Sequence, residues 1–312
     1  MTTIAQETRP LTRRKRRWGG LLPYWLILPS VIYLGLFFVW PMIQSFGLAL
    51  RDETGGWSIT AFETMVNDPA FGEAMSFTFL LILVILPIQF VLAFGMALLL
   101  NAKLRGAGIF LYIFLLPLAI SDLAAGIAWS AIFTERGYLN TILEGVGVID
   151  QPHIFLDPTS RTQQVMAVAT AEIWRSTTFM MVILFAGLQA IPKDYVEAAE
   201  VFGDGFFQRV RHVIMPMLKP SIQVAILLRL IFAFEVFAVV IALTGSGATV
   251  LAAEAYKWQA TNQNEHVAAA YSVVILGLSL AAATTARDGQ GAKDGSNGGG
   301  PVIVAPSGVS GS

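Results

Sequence analysis

The sequence contains no cysteine and few charged residues. The lack of cysteine excludes disulfide bonds, thiolate metal sites and cysteine nucleophiles. The only histidines, His153, His212 and His266, are far apart and lack the spacing of metal ligands, so no metal site is expected. Charged residues make up 13% of the chain, whereas soluble domains carry about 25%. Since 55% of the residues are hydrophobic, a bilayer rather than a soluble core is expected to accommodate them.

Motifs that would give the chain its own chemistry are also missing. There is no Gly-x-x-x-x-Gly-Lys-[Ser/Thr] loop to bind nucleotide phosphates, so any energy from ATP has to come from another subunit. A membrane-embedded enzyme would need convergent nucleophilic, acid–base or metal-binding groups, and the sequence offers none. An ion-coupled secondary transporter would show an inverted repeat with matched broken helices, which is not evident. That transporter class is kept as the alternative function.

Apolar runs long enough to cross a membrane, which takes about 20 residues each, recur along the chain. They predict an all-α, polytopic membrane protein with six transmembrane helices within residues 21–286. Prolines inside the runs are compatible with this fold because neighbouring helices can satisfy the freed backbone groups. The predicted spans are residues 21–43, 75–100, 108–132, 165–190, 221–243 and 267–286.

Lysine and arginine are concentrated in residues 1–20, in loop 101–107 and in loop 191–220. The positive-inside rule makes these segments cytoplasmic, which places both termini inside. The basic N-terminus could also suit nucleic acid, but beside a transmembrane helix it indicates a topology signal and contact with anionic lipid. No nucleic-acid partner is therefore expected. Residues 287–312, rich in Gly and Ser, are predicted to be a disordered tail.

The loop 191–220 begins with the pattern of a short helix that ends in a reversal. Asp194, with Glu197 three residues later, has the spacing of an N-cap and its capping box. The predicted helix covers residues 195–202. It ends at Gly203, because glycine readily adopts the left-handed conformation that closes a helix.

A second short helix is predicted over residues 205–214, with Asp204 as its N-cap. Pro216 and Pro220 are expected to break the chain before the fifth span. A helical hairpin with apolar side chains left to bury has the form of a docking element. Those side chains are Phe202, Phe206, Phe207 and Val210.

This hairpin resembles the EAA loop of binding-protein-dependent ABC importer permeases. The flanking sequences LQAIP and MPMLKPS resemble the sugar-transporting, maltose-type branch of that family, as does Leu-Thr-Gly at 243–245. Asp204 departs from the family pattern, which usually has alanine there. The residues that carry the resemblance are Glu197, Ala198, Ala199, Gly203, Pro216 and Pro220.

The resemblance implies the fold of a type I ABC importer permease, which moves a sugar or related polar solute across a bacterial or archaeal cytoplasmic membrane by alternating access. Such a subunit is not an enzyme and holds no cofactor. The implied partners are a second related permease, an ABC ATPase dimer that binds ATP and Mg²⁺, an extracytoplasmic solute-binding protein and membrane lipid. In the family this loop enters a cleft on the ATPase. The coupling residues carried over are Glu197, Ala198, Ala199, Gly203, Asp204 and Pro216.

Charged residues in or near the spans mark a candidate translocation path, because a charge in the bilayer usually faces a cavity or a partner. Glu172 and Arg175 share a helix face and are predicted to pair near the outer end of the fourth span. Arg229 and Glu235 are not expected to pair with each other. Aromatic side chains in these spans could stack on sugars, with ordinary helix packing as the alternative. Asp122 is a further charge of this kind. The candidate path residues are Glu172, Trp174, Arg175, Arg229, Phe234 and Glu235.

Overall fold

The computed structural model describes residues 22–294, apart from residues 53, 103, 104 and 246. Within that part of the chain the regular secondary structure is helical, apart from a single isolated β-bridge between Arg51 and Trp57. In chain order the α-helices are α1 (Leu22–Leu34), α2 (Trp40–Ala49), α3 (Thr60–Asn67), α4 (Pro69–Asn101), α5 (Ala107–Leu115), α6 (Asp122–Phe133), α7 (Tyr138–Gly145), α8 (Arg161–Gln189), α9 (Lys193–Val201), α10 (Phe206–Arg209), α11 (Met215–Phe234), α12 (Ala238–Thr244), α13 (Leu251–Ala260) and α14 (Glu265–Asp294).

Both ends of the chain contain predictions that fall outside the described residues. The basic N-terminus, residues 1–20, is one of them. The predicted disordered tail, residues 287–312, is described only in part. Its first residues belong to α14, which continues to Asp294, and this differs from the prediction. Residues 295–312 are not described.

Five continuous helical segments in the described part are long and apolar enough to cross a membrane, and a bent pair makes a sixth if it counts as one span. The six predicted spans agree with this result. The first span is Tyr24–Ala49, longer than predicted, in which a π-helical turn at Gly35–Val39 joins α1 to α2. Its side chains are largely exposed, and it packs through α2 against α14.

The third span differs from the single helix predicted over residues 108–132. A 3₁₀ turn at Leu116–Ala119 ends the first half, and the second half, which starts at Asp122, lies at 98° to it. The break has local causes. Pro117 supplies no backbone N–H to continue the helix, and the Ser121 hydroxyl accepts a hydrogen bond from the Ala124 N–H at 3.3 Å, which starts a new helix.

The fifth span also differs from its prediction. Pro216 and Pro220 do not break the chain, since one bilayer-length helix runs from Phe206 to Phe234. A π-helical turn at Val210–Ile214 precedes Pro216, and a wider turn of this kind accommodates an altered backbone pairing inside a helix. The span ends at Phe234 instead of continuing to residue 243. Residues 235–237 are not helical, and a separate short helix, α12, begins at Ala238.

Two glycines set how closely the spans pack. A Cβ atom on Gly187 of α8 would clash with the Ser221 hydroxyl and lie 2.8 Å from Leu218 on α11. A Cβ atom on Gly126 of α6 would lie 2.6 Å from the Cβ atom of Ala242 on α12. The missing side chains therefore allow α8 to approach α11 and α6 to approach α12.

Candidate translocation path and coupling hairpin

A fully buried polar network joins three spans. Arg229 on α11 donates from Nη2 to Glu172 Oε1 on α8 at 2.8 Å and from Nε to Gln89 Oε1 on α4 at 2.7 Å. Gln89 Nε2 in turn donates to the backbone carbonyl of Glu172 at 3.0 Å. All three residues are at most 2% exposed. Because every member contacts the other two, the network fixes the relative positions of α4, α8 and α11.

The network forms a polar layer between two apolar clusters. On α4, Gln89 lies between Ile85, which belongs to one cluster, and Ala93, which belongs to the other. Glu172 and Arg229 complete the layer from α8 and α11. An apolar core is thus interrupted across three helices by groups that are costly to bury unless paired.

A second arginine extends the network towards the surface. Arg175 donates from Nη2 to Glu172 Oε1 at 3.2 Å, which confirms the predicted pair, and its Nη1 lies 2.8 Å from Asp122 Oδ1. The Ser176 hydroxyl also donates to Glu172 Oε1, at 2.8 Å. Side-chain exposure rises from 0% at Glu172 through 16% at Arg175 to 51% at Asp122. The pair lies in the middle third of α8, not near its outer end as predicted.

Aromatic candidates for the path occupy two different environments. Trp174 is 37% exposed and makes a T-shaped contact with Trp129, with ring centroids 6.0 Å apart. Phe234, by contrast, is 4% exposed and packs edge-on against Phe79 at 5.7 Å. Glu235 is exposed where α11 ends. The structure therefore gathers Glu172, Arg175 and Arg229 together and places Phe234 and Glu235 elsewhere.

Two network members, Gln89 and Ser176, were absent from the candidates named from sequence. Gln89 could have been recognised as a network member because it is an amide within a long apolar run, and a buried amide needs a hydrogen-bond partner. Its partners are remote in sequence, so the pattern did not indicate which residues they are. Ser176 is four residues after Glu172, a helical spacing that places the two side chains on one face.

The hairpin formed by α9 and α10 reverses direction at Gly203, as predicted. Gly203 has φ +86°. Its N–H donates to the Glu200 carbonyl at 3.0 Å, and the Asp204 N–H donates to the Ala199 carbonyl at 3.0 Å. These two bonds form a Schellman motif, which closes the end of α9. The positive φ explains why glycine suits this position.

The predicted side-chain caps of the hairpin are wrong. α9 begins after Pro192 without a side-chain cap. Asp194 lies inside the first turn, where its negative charge interacts favourably with the positive end of the helix dipole. Glu197 therefore belongs to no capping box. Asp204 does not cap the second helix; there, the Gly205 N–H donates to Gln208 Oε1 at 2.9 Å.

The turn of the hairpin carries a patch of exposed apolar side chains. The exposed fractions are 85% at Val201, 88% at Phe202, 54% at Phe206 and 84% at Phe207. Val210 is buried instead, as is Ala199 of the EAA motif, while Glu197 and Ala198 are exposed. An ion pair between Arg209 and Glu200 ties α10 to α9. Large apolar side chains exposed at neighbouring positions are typical of interaction sites, which makes this turn a candidate.

Comparisons with known proteins agree with these features. Residues 75–287 match the family described as "Binding-protein-dependent transport system inner membrane component". The chain is 31% identical over 244 residues to the trehalose/maltose transport system permease protein MalF of Thermococcus litoralis, covering 76% of this chain and 81% of that protein. It is 27% identical over 273 residues to the sn-glycerol-3-phosphate transport system permease protein UgpA of Agrobacterium fabrum, covering 84% and 92%.

Among solved structures, the fold resembles a chain in the crystal structure of a bacterial ABC transporter involved in the import of the acidic polysaccharide alginate. The TM-score is 0.76 with 23% sequence identity, over 88% of this chain and 99% of that one. The likeness therefore extends over nearly the whole of the described bundle.

Proposed function

The chain belongs to the family of binding-protein-dependent transport system inner membrane components and is a permease subunit of an ABC importer; we propose that its cargo is a sugar or a related polar solute. Two relatives support a polyhydroxylated cargo, one named for trehalose and maltose and the other for glycerol 3-phosphate. The exposed end of the network supports the same idea: the Asp122 side chain, paired with Arg175, is 51% exposed, and polar groups inside a membrane protein commonly face the route of a polar solute.

The proposed assembly contains a second related permease, two ATPase subunits that bind ATP and Mg²⁺, and an extracytoplasmic solute-binding protein. The observation that carries the ATPase contact is the exposed patch of Val201, Phe202, Phe206 and Phe207 at the turn of the hairpin. We propose that this patch, with Glu197 and Ala198 beside it on α9, enters a cleft on an ATPase subunit. The hairpin and both termini would then lie on the cytoplasmic side.

The continuous helix from Phe206 to Phe234 supports a direct link between ATP hydrolysis and the path. Arg229 lies 23 residues after Phe206, a distance of about 35 Å along a helix at 1.5 Å per residue. A displacement of the hairpin would therefore reach the buried network through one continuous helical segment. Alternating access follows if ATP and solute bind the inward-open and outward-open states with different affinity.

The test is transport by the complete complex in proteoliposomes, with binding protein outside and ATP inside. We expect uptake of radiolabelled trehalose or maltose only with hydrolysable ATP. The paired change Phe202→Ser with Phe207→Ser should reduce recovery of the ATPase with the purified permease at least tenfold. Val148→Ser is the matched control, since Val148 is also an exposed apolar loop residue, 67% exposed.

Two results would count against the proposal. Full ATPase recovery in the doubly changed variant would show that the patch is not the docking surface. Uptake without ATP, driven by a proton or sodium gradient alone, would instead favour an ion-coupled transporter.

A further inference from the structure

We propose that Asp122 and Trp174, positioned by Arg175 and Trp129, form a saccharide-binding subsite on the wall of the translocation path. The inference rests on the proposed sugar cargo and specifies where this chain contacts it. Asp122 and Trp129 belong to α6, while Trp174 and Arg175 belong to α8.

The environment of Asp122 is the first step. Its side chain is 51% exposed although it lies in the broken third span. A carboxylate in a span is costly against hydrocarbon and usually faces a cavity or a partner. The break in the helix before Asp122 needs a cavity or a neighbouring protein beside it as well. Non-helical backbone within a membrane is tolerated only where it is buried in protein or lines a water-filled cavity. An exposed carboxylate here fits a water-filled cavity, and we take the exposed face of α6 at Asp122 as part of the path wall.

The second step is the arrangement of the α6–α8 contact. Asp122 and Trp129 are seven residues apart, so they share one face of α6 about 10 Å apart along its axis. Across from them, Arg175 pairs with Asp122 at 2.8 Å, and Trp174 meets Trp129 with ring centroids 6.0 Å apart. The contact thus consists of a charged pair and an aromatic pair about two turns apart along one face of α6.

These groups match the two surfaces of a sugar. A carboxylate accepts hydrogen bonds from hydroxyl groups, and an indole ring covers an apolar C–H face; both features recur where a few polar groups orient a ligand against aromatic side chains. Asp122 retains half of its exposure after pairing with Arg175, and Trp174 retains 37%. Both can therefore contact a solute without leaving their partners.

The buried side of the subsite is already organised. Arg175 also bonds to Glu172, which is held by Arg229 at 2.8 Å and by Ser176 at 2.8 Å. Side chains fixed in this way hold a binding group in position before the ligand arrives. A purely structural α6–α8 contact would need the Asp122–Arg175 pair but not the exposure of Trp174, and the experiment separates the two roles.

The first arm measures whether water-soluble reagents reach the subsite. A single introduced cysteine can be labelled without background, because the native chain has no cysteine. Thr170 is exposed on α8 one turn before Trp174, so Thr170→Cys reports on the subsite without altering it. Leu83→Cys is the control on an exposed face of α4, where Leu83 is 72% exposed. In the reconstituted complex, a charged thiol reagent should label Thr170→Cys at least tenfold faster than Leu83→Cys. Trehalose or maltose delivered by the binding protein should slow the labelling severalfold.

The second arm measures moles of saccharide imported per mole of ATP hydrolysed. Asp122→Asn and Trp174→Leu should each lower this ratio about tenfold. Asp122→Glu and Trp174→Phe, which keep the carboxylate and the aromatic ring, should restore much of it. A purely structural contact would lower import and hydrolysis together and leave the ratio unchanged.

The outcomes separate this inference from the proposed function. No labelling at Thr170→Cys, labelling that saccharide does not slow in a complex that imports it, or an unchanged ratio in Asp122→Asn and Trp174→Leu would each overturn the subsite. A wild-type complex that imports no saccharide with ATP would refute the sugar cargo, and with it the saccharide as the ligand here, even if Thr170→Cys is labelled.

Discussion

Arg229 of α11 and Glu172 of α8 form an ion pair of 2.8 Å in which the side chains are only 3% and 0% exposed. Glu172 Oε1 also accepts from Arg175 and Ser176, whereas its Oε2 atom has no hydrogen-bond partner within the described residues. A buried pair contributes little net stability, but removing one member leaves an uncompensated charge. The pair is therefore a sensitive point of the bundle.

Arg229→Leu should destabilise the protein by up to about 3–5 kcal/mol, because Glu172 loses its fully buried counter-charge and keeps only Arg175, at 3.2 Å. The double change Glu172→Leu with Arg229→Leu should recover a large part of that loss, since Arg175 keeps its pair with Asp122. Thermal unfolding of the purified complex in detergent would measure both. A double variant no more stable than Arg229→Leu would show that the two charges are not coupled.

Gly203→Val should impair coupling while leaving insertion intact. The Cβ atom would meet nothing within 4 Å, so the penalty comes from φ +86° alone, about 1–2 kcal/mol for an L-residue in the left-handed region. Solute-stimulated ATP hydrolysis should fall severalfold at a normal amount of permease in the membrane. Gly203→Asn should be milder, because asparagine tolerates this region better.

Gly205→Ala is the matched control for that prediction. Its φ is −66°, and an added Cβ atom would lie 3.6 Å from Gln208 Oε1, an ordinary van der Waals contact, so a methyl group should be harmless. Equal loss in both glycine variants would point to the mobility of the turn rather than to the backbone conformation of Gly203.

Gly187→Ala should lower the unfolding temperature of the complex by several degrees, since the new methyl group would collide with Ser221 and press on Leu218. Overpacking of this kind typically costs about 1–3 kcal/mol. The control is Gly95→Ala on α4, where no atom lies within 4 Å of the added Cβ. Gly95→Ala should be neutral or stabilising by up to about 1 kcal/mol, because alanine favours helix. Similar effects of the two changes would contradict the close α8–α11 contact.

The orientation of the bundle gives a separate prediction. If both termini are cytoplasmic, as proposed, Val201→Cys in the hairpin should react with a membrane-impermeant thiol reagent only from the inside. Gln151→Cys, exposed in the loop between α7 and α8, should react from the outside. The native chain contributes no background because it has no cysteine. Reaction of Val201→Cys from outside would invert the topology.

Features that depend on neighbours along the chain followed from the sequence alone. Apolar runs of bilayer length determined the number of spans, since their burial does not depend on which helix packs against which. The reversal at Gly203 and the Glu172–Arg175 pair followed from residues within one or two helical turns of each other. The EAA pattern was readable for the same reason, because its residues are local.

Only the tertiary structure decided which distant groups meet. Arg229 could have paired with any acid at its depth, and the packing of α11 against α8 and α4 selected Glu172 and Gln89, 57 and 140 residues away. Pro117 and Pro216 show the same limit: each lacks an N–H, yet one lies at a break and the other inside a continuous helix. A proline removes the same hydrogen bond in both places, and its surroundings decide whether the chain turns or continues.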